Sequence, residues 1–505
     1  MPERTRYANP PIAILGVPFD NITTAETIEA IERMVESREP HYLVTANVDF
    51  LVQAKEDVEL RRILFDSHLV LCDGTPLVWA SRLLGNPLLE RVAGADLVPL
   101  LLRVAAEKGY RVFFLGATPE SSERAVRNLK KLHPDLIIAD HYSPPFNKLL
   151  EMDHEEIKRR IIAAKPDLLF VSLGCPKQEK WIAMHYRSLG VPVSAGVGAT
   201  IDFLAGSVKR APLWMQRSGV EWIYRLAQEP RRLFKRYFKD LWVFGWALFA
   251  QLWYLRSRSG RPAVSGTGVL PVRFDSHRRD ARATGAGGNW QWIKLPERLD
   301  LAAVREGVPL LDQAVADGRH CLLEMDNVTF IDSTGVGLLI RLQKKIREDG
   351  RQLVLLAPSR AVRRALALMQ LQNFFATAPD FASAQQLIAV RTREESGAVR
   401  LRSPAAINPV LWQGEITAAN AAEVWLTTEA HLTSKQRREL VIDMSGVRFM
   451  DSTGLGLMVR AKKLAQVQRV KLEFIHPQPA VQNVVHLARL DEFLLAENPR
   501  ELAVK

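Results

Sequence analysis

The stretch VLCDGTPLVWA, residues 70–80, ends an otherwise apolar run on one carboxylate, Asp73, with a glycine directly after it. An ionised carboxylate within a strand buried on both faces is costly unless it is paired or stands at the strand's mouth. At the mouth of a parallel strand it meets ligand, because open α/β sheets bind at their carboxyl ends. The chemistry it offers there is proton abstraction, which a carboxylate performs well when apolar neighbours raise its pKa. Three further signals accompany it: Thr45 and Asn47 ending HYLVTAN, Arg91 and Asp96 in RVAGAD, and Gly174, Lys177 and Gln178 in SLGCPKQEKWI. Each also has a plainer use. Thr and Asn cap helices, Arg91 pairs with an acid, Gln178 satisfies backbone, and Lys177 with Glu179 forms an exposed ion pair. His41, His68, His133 and His141 show no ligand spacing and read as surface or core residues.

These groups share a site only if a parallel sheet brings strand ends together. From Ile12 to about Val208, HYLVTAN, HLVLCDG, RVFFLGA, LIIADHY, DLLFVSLG and VPVSAGVG alternate with segments of helical period. The expected fold is α/β, an N-terminal Rossmann-like parallel sheet with flanking helices over residues 1–208. A basic, aromatic appendage follows at 209–256. Between Ser207 and Lys239 nine Lys/Arg face only Glu221 and Glu229, and five of the eleven tryptophans, at 214, 222, 242, 246 and 253, gather here. The apolar part, Leu241 to Leu255, is shorter than the ~20 residues that span a bilayer. It reads as an anchor lying on an anionic membrane surface, with a core helix or an oligomer interface as the alternative. Arg225, Arg232 and Arg236 fall on one helical face if Pro230 only kinks that helix, and there they neutralise phosphates.

Residues 257–289, rich in Gly, Ala, Ser and Arg, mark a linker. Beyond it VTFIDSTGVGLLIRLQKK returns as VRFMDSTGLGLMVRAKK, each between strands, so two copies of one small α/β module occupy 290–395 and 405–505. Ser333 and Ser452 stand at the start of a helix in each copy, where a hydroxyl caps backbone amides.

The chain has 505 residues, 47% hydrophobic and 25% charged, which suits several folded domains and excludes a disordered or multi-spanning class. Three scattered cysteines point to a reducing compartment and to no zinc site. The first ten residues lack the apolar core of a signal peptide, so the cytoplasm is expected. The net charge of +12, concentrated among aromatics, points to anionic lipid or substrate and away from nucleic acid. No Asp-x-Asp occurs in the N-terminal half, so metal-independent chemistry with arginines on the phosphates is expected. No Gly-x-Gly-x-x-Gly follows the first strand, which argues against a dinucleotide dehydrogenase.

In this order TAN, LCDGTPLVW, RVAGAD, FFLGA, SLGCPKQEKWI, GVGATIDFLAG and KRAPLWMQRSGVEWIYRLAQEPRRLFKRY resemble the WecG/TagA/CpsF glycosyltransferases over about residues 11–250. The resemblance implies inverting transfer of N-acetylmannosamine, its uronic acid or another hexose. The donor is a UDP-sugar, the acceptor a polyprenyl-diphosphate-linked sugar, and the setting surface polysaccharide assembly at the cytoplasmic face of the inner membrane. It makes Asp73 the base, Thr45, Asn47, Arg91 and Gln178 pocket residues, and Arg225, Arg232 and Arg236 part of an appendage closing over the pocket. The repeats resemble STAS domains, which implies regulation or docking, with Ser333 and Ser452 as phosphorylation candidates and a kinase or anti-sigma-like protein as partner. The competing reading is a signalling scaffold whose transferase domain is inactive.

Overall fold

The computed structural model describes residues 9–208, 210–212, 214–215, 220–228, 230–259, 290–305, 318–372, 374–387, 399–400, 410–433 and 439–495, and of residues 225, 232, 233, 257–259, 399, 400 and 492 the backbone only. Two compact units result, one from 1–146 with 153–385, the other from 147–152 with 386–505.

The first unit opens with an antiparallel hairpin, β1 (Ile12–Ile14) and β2 (Val17–Phe19). Six strands then form one parallel sheet: β3 (His41–Ala46), β4 (Leu69–Cys72), β5 (Arg111–Gly116), β6 (Ile137–Tyr142), β7 (Leu168–Ser172) and β8 (Val193–Gly196), in the order β4-β3-β8-β7-β5-β6. These are the six apolar runs expected from the sequence. β4, β7 and β8 read as near-continuous hydrophobics because helices cover both sheet faces. Those helices are α1 (Thr24–Ser37), α2 (Val48–Glu56), α3 (Val58–Asp66), α4 (Thr75–Leu83), α5 (Gly94–Lys108), α6 (Pro119–Leu132), α7 (His154–Ala164), α8 (Lys177–Leu189) and the short α9 (Thr200–Leu204).

The appendage is two helices, α10 (Glu221–Gln228) and α11 (Pro230–Ser259). Glu229, between them, lies outside the described residues, so the single face expected for Arg225, Arg232 and Arg236 rests on the sequence. α11 runs three residues into the expected linker, the rest of which lies outside the described residues.

The first repeat belongs to the same unit. Its parallel sheet, ordered β14-β13-β11-β9, is built from β9 (Trp290–Lys294), β11 (His320–Glu324), β13 (Leu353–Leu356) and β14 (Ala376–Ala378). A small pair, β10 (Arg298–Leu299) with β12 (Phe330–Ile331), leads into α12 (Ser333–Glu348), and α13 (Arg360–Leu368) follows β13. The second unit repeats the plan with β15 (Val399–Arg400), β16 (Val410–Ile416), β17 (Glu439–Met450) and β18 (Lys471–Ile475), and with α14 (Ala421–Leu432), α15 (Ser452–Gln468) and α16 (Pro479–Leu487). In both repeats the cap is the aspartate before the serine. Asp332 Oδ1 accepts from the amides of Thr334 (2.8 Å) and Gly335 (2.9 Å), and Asp451 Oδ1 from those of Thr453 (2.8 Å) and Gly454 (3.0 Å). The expectation of a serine cap is corrected accordingly: the aspartate holds the extended cap backbone, so the serine is already the first helical residue.

Candidate active site

Polar groups flagged in the sequence stand at the carboxyl ends of β4, β3 and β7, with β8 between the last two. Asp73 follows β4 directly, half-buried, and its N–H donates to the carbonyl of Ala46 at the end of β3 (2.9 Å). The N–H of Val92 donates to the carbonyl of Cys72 (2.9 Å), which draws RVAGAD onto the same strand end. The Cβ position of Gly94 lies 3.2 Å from Thr45 Oγ1, so the start of α5 closes on β3. A Cβ at Gly74 would stand 3.7 Å from that of Asn47, so the residue after Asp73 lies beside Asn47. Asp73, Thr45, Asn47 and Arg91 are thus neighbours at one edge of the sheet.

Two of these side chains have their oxygens committed to backbone. Asn47 Oδ1 caps α2, accepting from Asp49 N (3.0 Å) and Phe50 N (3.4 Å). Gln178 is buried, and its Oε1 accepts from Gly174 N (3.2 Å) and Gly198 N (3.3 Å), tying the β7 loop to the β8 loop. Its Nε2 donates to Glu179 Oε1 (2.7 Å). Glu179 is itself buried beside the Cys175 thiol, and burial lifts its carboxyl to about 7. A Cβ at Gly196 would stand 2.7 Å from both Gln178 Nε2 and Glu179 Oε1, so only glycine lets β8 end against this pair. The expected exposed Lys177–Glu179 pair does not form: the acid turns inward, and Lys177 lies over the ring of Phe146 (5.2 Å). Lys180 binds Asp57 (2.8 Å) and Glu59 (2.9 Å), anchoring α8 to α3.

Arg91 lies in a four-charge cluster whose members come from separate motifs of the chain. It meets Asp96 (2.6 Å) and Glu221 (3.6 Å), and Arg210 meets the same two acids (2.7 and 3.6 Å). Arg210 and Glu221 belong to the appendage, so the cluster pins its start beside Asp73. Farther along, Arg236 reaches Asp49 (3.9 Å) and Lys239 reaches Glu56 (3.6 Å), laying the first half of α11 along α2. Asp240 is buried in that contact, which raises its carboxyl to about 6. The side chains of Arg225 and Arg232 lie outside the described residues. In the sequence Arg210 and Glu221 are signalled only by the basic, aromatic motif that contains them, and Glu179 only by its adjacency to Gln178.

The outer face of α11 is aromatic. Phe234, Phe238, Trp242, Trp246, Phe249 and Trp253 recur at steps of three or four, and Trp242, Trp246 and Trp253 are 71%, 70% and 67% exposed. The stripe extends roughly 28 Å. The opposite face, with Phe244, Gln251 and Tyr254, is buried. No helix among the described residues is long and apolar enough to cross a membrane. Ser333 is fully buried and Ser452 nearly so.

Polar groups at the carboxyl ends of a parallel sheet covered by helices define an α/β fold of the kind that binds ligands at that edge. Residues 12–258 match the glycosyl transferase WecG/TagA/CpsF family. Residues 289–384 match the STAS domain family, and residues 409–496 a second STAS family described as Mlab. Two relatives from Staphylococcus aureus, strains MW2 and MRSA252, are 33% identical over 233 residues, covering 46% of this chain and 89% of theirs. Both are named N-acetylglucosaminyldiphosphoundecaprenol N-acetyl-beta-D-mannosaminyltransferase. The chain belongs to the WecG/TagA/CpsF family and is a glycosyltransferase carrying two STAS domains.

Proposed function

We propose that the chain transfers a sugar, N-acetylmannosamine or a close relative such as its uronic acid, from a UDP-sugar to a polyprenyl-diphosphate-linked acceptor, with inversion. The observation that carries this reading is Asp73 at the mouth of β4, set between Asn47 and the Arg91 motif. Its carboxylate takes the proton of the acceptor hydroxyl, whose oxygen attacks the anomeric carbon as the bond to the UDP phosphate breaks. Cations stabilise the departing diphosphate, and Arg91, Arg225, Arg232 and Arg236 are assigned to this task or to the lipid diphosphate. Thr45, Asn47 and Gln178 shape the pocket, the last two through the backbone amides they hold. An open apolar groove of about 710 Å³ between α10 and α11, lined by Ile223, Leu226, Pro230 and Phe234 with Arg231 and Lys235 at its edge, suits a prenyl chain and its phosphates. The aromatic stripe of α11 supports peripheral attachment to the cytoplasmic face of an anionic membrane. The STAS domains are assigned to regulation or docking. The deciding experiment is incubation of the chain with synthetic polyprenyl-diphosphate-N-acetylglucosamine in vesicles and a panel of UDP-hexoses, read by mass spectrometry. Transfer from none of them would end this reading.

A further inference from the structure

The two STAS domains carry the same motif and use it differently. In the first, α12 is covered along its outer side by the transferase domain. A Cβ at Gly337 would stand 2.8 Å from the carbonyl oxygen of Pro11, and one at Gly16, in the β1–β2 turn, 2.5 Å from that of Met369. Each domain thus supplies a glycine where the other's backbone arrives. Ala13 and Phe65 from the transferase and Tyr254 from α11 sit inside the first STAS core, with the Phe65 and Phe374 rings 4.4 Å apart. Around them Arg347 takes Asp66 in a fork (3.1 and 3.2 Å), Lys344 donates to the carbonyl of Ser67, and Arg61 donates to that of Gln370 (3.0 Å). Lys344 and Arg341 also face Asp20, whose burial holds its carboxyl above the usual carboxylate range.

At the centre is Gln251 of α11, 1% exposed. Its Nε2 donates to Ala13 O (3.1 Å) and to Ser333 Oγ (2.8 Å), and its Oε1 accepts from Leu15 N (3.1 Å). One turn on, Tyr254 donates to the carbonyl of Ala361 (3.0 Å). The helix that reaches α2 with Arg236 is therefore held at its far half by the first STAS domain. In the second domain the matching positions are Ser452, Gly456, Arg460 and Lys463. Among the described residues only Leu150 Cδ2 comes within 4 Å of the Cβ position of Gly456, at 3.9 Å, in place of the backbone carbonyl met at Gly337.

We propose that the first STAS domain is a clamp on α11, with Gln251 and Ser333 as its latch, so that opening this contact releases domain and helix together and weakens use of the lipid-linked acceptor. Gln251 and Ser333 are then positioning residues, acting through the arginine-bearing helix. The effect on acceptor use rests on the transferase reading; the clamp does not.

The test uses the full-length chain. Ser333→Glu is expected to speed hydrogen exchange roughly tenfold over residues 12–19, 58–66 and 245–258. With acceptor in vesicles of phosphatidylglycerol and phosphatidylethanolamine, it is expected to raise KM for the acceptor several-fold and leave KM for the UDP-sugar in place. Asp66→Arg, which sets like charges at the rim, is expected to speed exchange over the same segments, and adding Arg347→Asp to restore it, showing release instead of misfolding. Unchanged exchange over 245–258 in Ser333→Glu and Asp66→Arg, or failure of the exchanged pair to restore it, overturns the clamp. Faster exchange with an unchanged acceptor KM overturns its link to catalysis. A wild-type chain that transfers no sugar removes the transferase reading, while the exchange data still decide the clamp.

Discussion

Glu179 should make the stability of α8 depend on pH in a direction opposite to that of a salt-bridged acid. Its carboxyl is buried, accepts from Gln178 Nε2 and is lifted from 4.5 to about 7. Below about pH 4.5 folded and unfolded chains both hold this proton. Between there and about 7 only the folded chain keeps it, so stability falls as pH rises. At 1.36 kcal/mol for each tenfold change, the contribution lost by pH 8 is roughly 3 kcal/mol. Glu179→Gln keeps an oxygen for Gln178 and has no proton to lose, so this dependence should vanish. Because a chain of several domains has no single unfolding free energy, the measurement is native-state hydrogen exchange of α8 (Lys177–Leu189) from pH 5 to 8, corrected for intrinsic rates. Relative to the variant, the wild-type helix should lose protection by on the order of a hundredfold across that range. Parallel profiles for the two proteins would refute the assignment of a buried, proton-holding acid beside Gln178.

Asp73→Asn should lower transfer about 10²- to 10⁴-fold, the usual worth of a general base, while circular dichroism and UDP-sugar binding by calorimetry stay as in wild type; retained turnover would remove Asp73 from the mechanism. Gly337→Ala should cost roughly 1–3 kcal/mol, because its Cβ meets a backbone carbonyl that has no rotamer by which to retreat. Gly456→Ala, with only a leucine methyl at 3.9 Å, should be neutral or stabilising by up to about 1 kcal/mol, as for an ordinary helical glycine. Hydrogen exchange of α12 and α15 distinguishes the pair, and equal effects would contradict the two environments. Replacing Trp242 and Trp246 together by Ser should reduce co-sedimentation with anionic vesicles at least roughly tenfold without altering the melting profile, since both rings are largely exposed.

What the chain itself determined is the set of elements and the edge where chemistry gathers. Six strands were legible because a sheet covered on both faces needs apolar runs, and the lone Asp73 was legible because a carboxylate has no place inside such a run. The two STAS copies were legible because a duplicated motif needs no knowledge of contacts. Local hydrogen bonding was read less well. The serine expected as cap gives way to the aspartate before it, because only backbone angles decide which residue stands at the extended position. The side-chain oxygens of Asn47 and Gln178 go to backbone amides that no spacing reveals. What tertiary structure alone decided is long-range: Arg91 shares acids with Arg210 across more than a hundred residues, Glu179 turns into the core, and the first STAS domain meets the segment of Pro11 and Ala13 through Gly337. Those outcomes depend on which carbonyl, ring or charge another part of the chain delivers, and a backbone carbonyl carries no sequence signature.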